Sequence, residues 1–151
     1  MEADRTSATA NHLGDLHRAF LGKVFATFSH EVKNHLAIIK EYSGLVHDLI
    51  EIGKVPNKDD NGQYLAALRS IHQQIDKSTS VITFFNKFCH RMDTPASSFR
   101  IQDALQELLV LIHRLAHQKR VSFETETATA IPEVVNNPSM VQMVLFCMFE
   151  S

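Results

Sequence analysis

This chain has no apolar run near the ~18–20 residues that a membrane-spanning helix needs, so no membrane span is expected. Its N-terminus, MEADRTSATANHLGDLHRAF, starts acidic and lacks the apolar core and small-residue cleavage site of a signal peptide. A cytoplasmic protein is the expectation. Dense basic stripes are missing too: 15 Lys and Arg against 17 Asp and Glu leave a formal net charge of -2, which argues against nucleic acid as a partner. Cysteine is scarce. Cys89 and Cys147 lie far apart, on stretches that read as buried helix faces, so no disulfide is implied. All five glycines lie at or before Gly62, so nothing in the C-terminal part can form a glycine loop that brings backbone against a triphosphate.

What the chain does contain is helical periodicity. From about Asn11 to about Ile52 there is no proline, and apolar residues recur at helical spacing: Leu13, Leu16, Phe20, Val24, Phe28, Val32, Leu36, Ile39, Val46 and Leu49. A single long helix is predicted, ended by Gly53, with KVPNKDDNG as the loop that follows. A second helix is expected from Asp60, which caps together with Gln63, to about Met92, before Pro95. Its seam of Leu68, Ile71, Ile75, Ser78, Ile82, Phe85, Cys89 and Met92 alternates steps of three and four, the mark of a bundle rather than of a helix lying on a sheet.

Two long helices with a short connection lie antiparallel, so residues 1–93 are expected to form a helical hairpin. A hairpin has one layer of core. Each buried apolar side chain contributes about 1.5–3 kcal/mol, and each ordered residue costs about 1–2 kcal/mol of backbone entropy, so a lone hairpin is marginal. Two hairpins paired into a four-helix bundle bury a second face, and a homodimer is therefore expected.

Residues 97–151 read as a partial α/β segment. FRI is a short strand candidate, QDALQELLVLIHRLAHQ an amphipathic helix capped by Gln102 or Asp103, and RVSFETET alternates like a half-buried strand. Asn137 and Pro138 open a last helix, SMVQMVLFCMFES, apolar nearly all round and so in need of cover from further chain, a second copy or a partner. The expected fold is thus mainly α: an antiparallel two-helix hairpin dimerising into a four-helix bundle, followed by a partial α/β segment.

Chemistry concentrates in FSHEVKNHLAIIKE, residues 28–41. A zinc site fails on spacing: zincin histidines stand four apart, whereas His30 and His35 stand five apart and diverge by roughly 140° on a helix. His113 and His117 have the right spacing, but no third ligand lies near them in sequence. On a helical wheel His30 points away from Phe28 and Val32, on the solvent side with Lys23, Ala26, Thr27, Lys33, Asn34, Ala37 and Glu41. Ala26 and Ala37 are small and leave the imidazole above a low surface that another protein can approach. Neutral imidazole is a competent nucleophile. Glu31 beside it can orient the ring or take its other proton, and Asn34, one turn on, can hold a water near a group bound to it. With nine histidines in the chain, an ordinary surface helix is the competing reading. The joint occurrence of exposure, Glu31, Asn34 and small neighbours weighs against it.

These residues resemble the phosphoacceptor box of sensor histidine kinases, whose usual form is S-H-E-[hydrophobic]-[K/R]-[N/T]-P-L. The resemblance implies that His30, on the first helix of a dimeric hairpin, accepts a phosphoryl group, with Glu31 as its acid/base partner. It implies further that Glu31 and Asn34 form the E-x-x-N arrangement used to dephosphorylate a response regulator. The partner is then a receiver domain, docking over Ala26, Thr27, Lys33, Ala37 and Glu41, and magnesium is expected on that receiver and not in this chain. Residues 97–145, from SSFRIQ to VQMVL, are similar in pattern to the opening of the kinase ATP-binding domain. Three departures stand out: His35 replaces the motif's proline, Cys147 and Ser151 stand where magnesium-binding asparagines are expected, and the glycine-rich boxes are absent. A histidine-kinase-type transferase or phosphotransfer protein without a complete ATP site is therefore expected. The competing class is a non-catalytic dimeric interaction module, a kinase-like scaffold.

Overall fold

Helix α1, Glu2–Glu51, and helix α2, Asn61–Met92, make up most of the computed structural model, which describes residues 2–51, 61–94, 96–126 and 131–151. Strand β1 (Ser97–Phe99), helix α3 (Ile101–Gln118), strand β2 (Val134–Asn136) and helix α4 (Pro138–Glu150) follow. The protein is mainly α, a helical hairpin with a small α/β segment after it. Among the described residues no helix is long and apolar enough to cross a membrane.

Several boundaries differ from the sequence expectation. Helix α1 starts at Glu2, ahead of the expected Asn11. Residues 2–10 lack an apolar stripe but also lack proline and glycine, and an established helix propagates through such residues at little cost. The expected stop at Gly53, loop residues 54–60 and the Asp60 cap lie outside the described residues, whereas Asn61 and Gly62, the end of the expected loop, already belong to α2. Helix α2 does end at Met92. The strand expected at FRI is SSF instead, since Arg100 is already the N-cap of α3, where no side chain makes a capping bond. Neither Gln102 nor Asp103 caps it. RVSFETET is not a strand over its described residues, 120–126. Strand β1 pairs with β2 instead, antiparallel, with Ser97 opposite Asn136 and Phe99 opposite Val134. Val121 is 50% exposed, whereas Phe123 is half-buried and rests against Phe149 at 5.0 Å between ring centroids.

Scarce glycine leaves a trace at the end of α3. Arg120 adopts φ 59, in the left-handed region, while its N–H bonds to His117 O and that of Val121 to Ala116 O, the two bonds of a Schellman motif. Helix α4 starts as expected, with the Asn137 side chain accepting from the Met140 N–H at 3.1 Å and Pro138 in the first turn.

The chain divides into two compact units, Met1–Phe28 with Phe84–Ser151, and Ser29–Thr83. In the first, Phe20, Val24, Phe88, Leu108, Leu111, Ile112, Met143 and Phe146 make one buried cluster. Phe20 packs edge-on to Phe88 and against Phe146, at 5.8 and 5.2 Å between centroids. A polar cluster sits within the same unit: Arg91 donates to both Glu107 oxygens at 2.5 and 3.0 Å, and the fully buried Gln142 donates to Ala104 O at 3.0 Å and to Glu107 at 3.3 Å. Replacing Arg91 with leucine strips the buried Glu107 carboxylate of its cation. Chemical denaturation should record a loss of about 3 kcal/mol, well above the surface-salt-bridge range.

The second unit is the hairpin proper, with α1 antiparallel to α2. Its inner seam on α2 runs through Ala67, Ile71, Gln74, Ser78 and Val81, of which only Ala67 and Val81 are fully buried. The expected seam was offset: Ile71 and Ser78 face inward, whereas Leu68, Ile75 and Ile82 are 52%, 46% and 40% exposed. On α1, Leu36 is likewise 55% exposed. The apolar stripe of α2 is wider than one neighbouring helix covers, and a single seam drawn through it mixes two faces.

Candidate functional site

His30 lies in the Ser29–Thr83 unit, on an uninterrupted stretch of α1, and is exposed. Lys33, Asn34, Ala37 and Glu41 on the same stretch are exposed as well. Their spacing from His30 keeps Lys33, Asn34, Ala37 and Glu41 on its half of the helix. Ala26, in the other unit, is exposed, but Thr27 is not: it is 5% exposed, and its Oγ1 donates to Lys23 O at 2.8 Å. Thr27 completes the Phe20–Val24 stripe at i, i+4, i+7 and is therefore core, a correction to the docking surface expected from sequence.

Glu31 departs from expectation in direction. Its side chain is 18% exposed, and Oε1 lies 4.0 Å from Nε2 of His35, itself 13% exposed. Adjacent helical residues diverge by about 100°, so Glu31 and His30 do not face each other, whereas Glu31 and His35, at i, i+4, do. His35 Nδ1 is 2.7 Å from Oε1 of Gln74 on α2. Glu31 Oε2 and His35 Nε2 are buried without a hydrogen-bond partner. Gln74 and the inward turn of His35 were missed by sequence reasoning; the i, i+4 spacing of Glu31 and His35 signalled that these two meet, and no local signal pointed to Gln74.

Among the described residues no group of three or more His, Cys, Asp or Glu side chains gathers as a metal site requires. His113 and His117 are both exposed on α3. The cysteines split. Cys89 is half-buried, while Cys147 is exposed and not on the buried face that its sequence context indicated. Burial, with the nearby Asp93 charge adding to it, pushes the Cys89 thiol up from its ordinary range. Because the thiolate is the nucleophile, Cys147 should be alkylated by iodoacetamide well before Cys89 at pH 7.5, and the gap should narrow as pH rises; peptide mass spectrometry over a time course checks this.

Comparison with protein-family models, with curated proteins and with solved structures gives no match to this chain.

Proposed function

We propose that this chain is a dimeric histidine phosphoacceptor module of a two-component pathway, exchanging phosphoryl between His30 and an aspartate of a receiver domain. The observation that carries the proposal is the exposed imidazole of His30 on the outer face of an antiparallel helical hairpin, in the segment SHEVKNHL. In the transfer, the lone pair of a His30 ring nitrogen attacks the phosphorus of the receiver's aspartyl phosphate. An N–P bond forms as the P–O bond breaks, and the aspartate leaves as carboxylate. The proton on the other ring nitrogen passes to water, or to Glu31 once its side chain has swung away from His35, and Lys33 and Asn34 flank the incoming phosphoryl. The receiver's own magnesium balances the charge that develops there. The scheme uses no nucleotide of its own, because the receiver's aspartyl phosphate supplies the phosphoryl.

Dimerisation is supported by the outward stripe of Leu65, Leu68, Ile75 and Ile82 on α2, each at least 40% exposed. Steps of three, seven and seven put them on one line of the helix, as a second copy in a four-helix bundle requires. Leu68→Glu with Ile75→Glu should shift the sedimentation coefficient from dimer to monomer, with helix content largely kept. A wild type that sediments as a monomer at tens of micromolar contradicts the bundle.

The direct test is transfer from a receiver domain charged with acetyl phosphate. An acid-labile, base-stable label on this chain supports the proposal. Stable receiver phosphate with no label, over several receivers, favours the non-catalytic interaction module. Loss of receiver phosphate without label favours dephosphorylation through Glu31 and Asn34.

A further inference from the structure

We infer that His35, oriented by Gln74, is a positioning residue that holds the Glu31 carboxyl group away from His30 and so restrains the reactivity of His30 toward phosphoryl. The inference rests on the phosphoacceptor reading for its biological meaning, but its geometry stands apart from it. One helical turn separates Glu31 from His35, and their polar atoms lie 4.0 Å apart, just outside hydrogen-bond range. His30, next to Glu31 in sequence, points a quarter-turn or more away from it and is exposed. Glu31 therefore has two imidazoles to choose between, and in this structure it sides with the half-buried one.

The proton count supports a hold. With Gln74 Oε1 accepting from His35 Nδ1–H at 2.7 Å, Nε2 is the ring atom that faces Glu31. If the ring were neutral in that state, its lone pair would oppose the lone pairs of an ionised carboxylate. With the Gln74 amide turned over, its NH2 donates to Nδ1 and the neutral ring carries its proton on Nε2. Every arrangement that avoids opposed lone pairs places one proton between Nε2 and the Glu31 carboxyl. Glu31 Oε2 and His35 Nε2 are both buried with no other partner, so each gains by closing the gap, which a small rotation of the flexible Glu31 side chain accomplishes.

A carboxylate engaged at His35 cannot at the same moment orient the His30 ring or take its proton. Glu31 must leave the pair before it assists N–P bond formation at His30, and that departure lowers the fraction of molecules ready to react. The motif that this segment resembles has proline at position 35, which offers no such partner. The hold thus belongs to this chain.

The test needs no receiver. Phosphoramidate, a small phosphoryl donor that releases ammonia as the N–P bond to histidine forms, labels exposed histidines, and peptide mass spectrometry gives the ratio of label at His30 to label at the exposed His113. His35→Asn keeps a donor near Gln74 but removes the atom facing Glu31, and should raise that ratio about three- to tenfold. His35→Gln returns an amide donor to the Nε2 position and should restore the wild-type ratio. In a Glu31→Gln background, His35→Asn should have no effect. Loss of folding does not produce this pattern, because it is a gain, it is reversed by the conservative variant, and it is referenced to a histidine of the same chain. An unchanged ratio in His35→Asn, or a gain that persists in the Glu31→Gln background, overturns the inference. Failure of the phosphoacceptor reading is separate: a charged receiver then leaves no label on wild type, while the His30 to His113 ratio still reports the hold.

Discussion

His30→Gln is expected to abolish phosphoryl uptake from a charged receiver domain, with residual label at least ~100-fold below wild type. Glutamine keeps the polarity and much of the size of histidine, and the site is exposed on α1, so neither packing nor helix stability changes appreciably. What it removes is the ring nitrogen lone pair. A carboxamide nitrogen is delocalised into its carbonyl and is a very poor nucleophile, so loss of the covalent step, not a modest slowing, is the outcome. Glu31 and Asn34 remain in place in this variant. If they instead direct a water onto the receiver's aspartyl phosphate, receiver dephosphorylation persists while label on the chain disappears, so one variant read by two products separates phosphotransfer from phosphatase action.

Phe88→Ala carries the largest expected effect on folding. Phe88 is 0% exposed, 5.8 Å from Phe20 and 6.4 Å from Phe85 between ring centroids. Truncation removes the apolar transfer energy of a whole ring and leaves a cavity that rigid aromatic neighbours close only in part, for an expected loss of about 3–5 kcal/mol. Domains of this kind are stable by about 5–15 kcal/mol in total, so the variant should melt far below wild type in a circular-dichroism scan. Val135→Thr, at a position 77% exposed, should stay within about 0.5 kcal/mol of wild type and serves as the control. Equal melting of Phe88→Ala and wild type would contradict the aromatic core.

The parts of this protein that were legible in its sequence are those governed by long periodicity or by strong local chemistry. Helices α1 and α2 carry apolar repeats over many turns, and Asn137–Pro138 is a cap with a single reading, so the hairpin and the start of α4 could be placed. Two kinds of feature were hidden. Strand β2 is three residues long, too short for alternation to register, and residues 120–126 alternate in sequence without forming a strand, while β1 pairs with β2. On α2, apolar residues serve an inner seam and an outer stripe, so a single line of best spacing ran between them and put Leu68, Ile75 and Ile82 inside.

The candidate site divides the same way. His30, Lys33, Asn34, Ala37 and Glu41 are exposed because they lie opposite Phe28 and Val32, which a helical wheel conveys. Thr27 is one step too close to the Phe20–Val24 stripe, and its hydroxyl is satisfied by its own helix, so burial costs it nothing that polarity would have signalled. Glu31 meets His35 through their i, i+4 spacing, whereas His35 meets Gln74, 39 residues away, through a contact that only the antiparallel register of the two helices creates.

The central claim is that phosphoryl resides on His30, and the most direct measurement is to locate it. After transfer from a charged receiver, the chain should be digested at alkaline pH and its nine histidines surveyed by mass spectrometry with electron-transfer fragmentation. The account predicts the added phosphoryl on His30 alone. Phosphoryl on His35 or on any of the other histidines, with His30 bare, contradicts it.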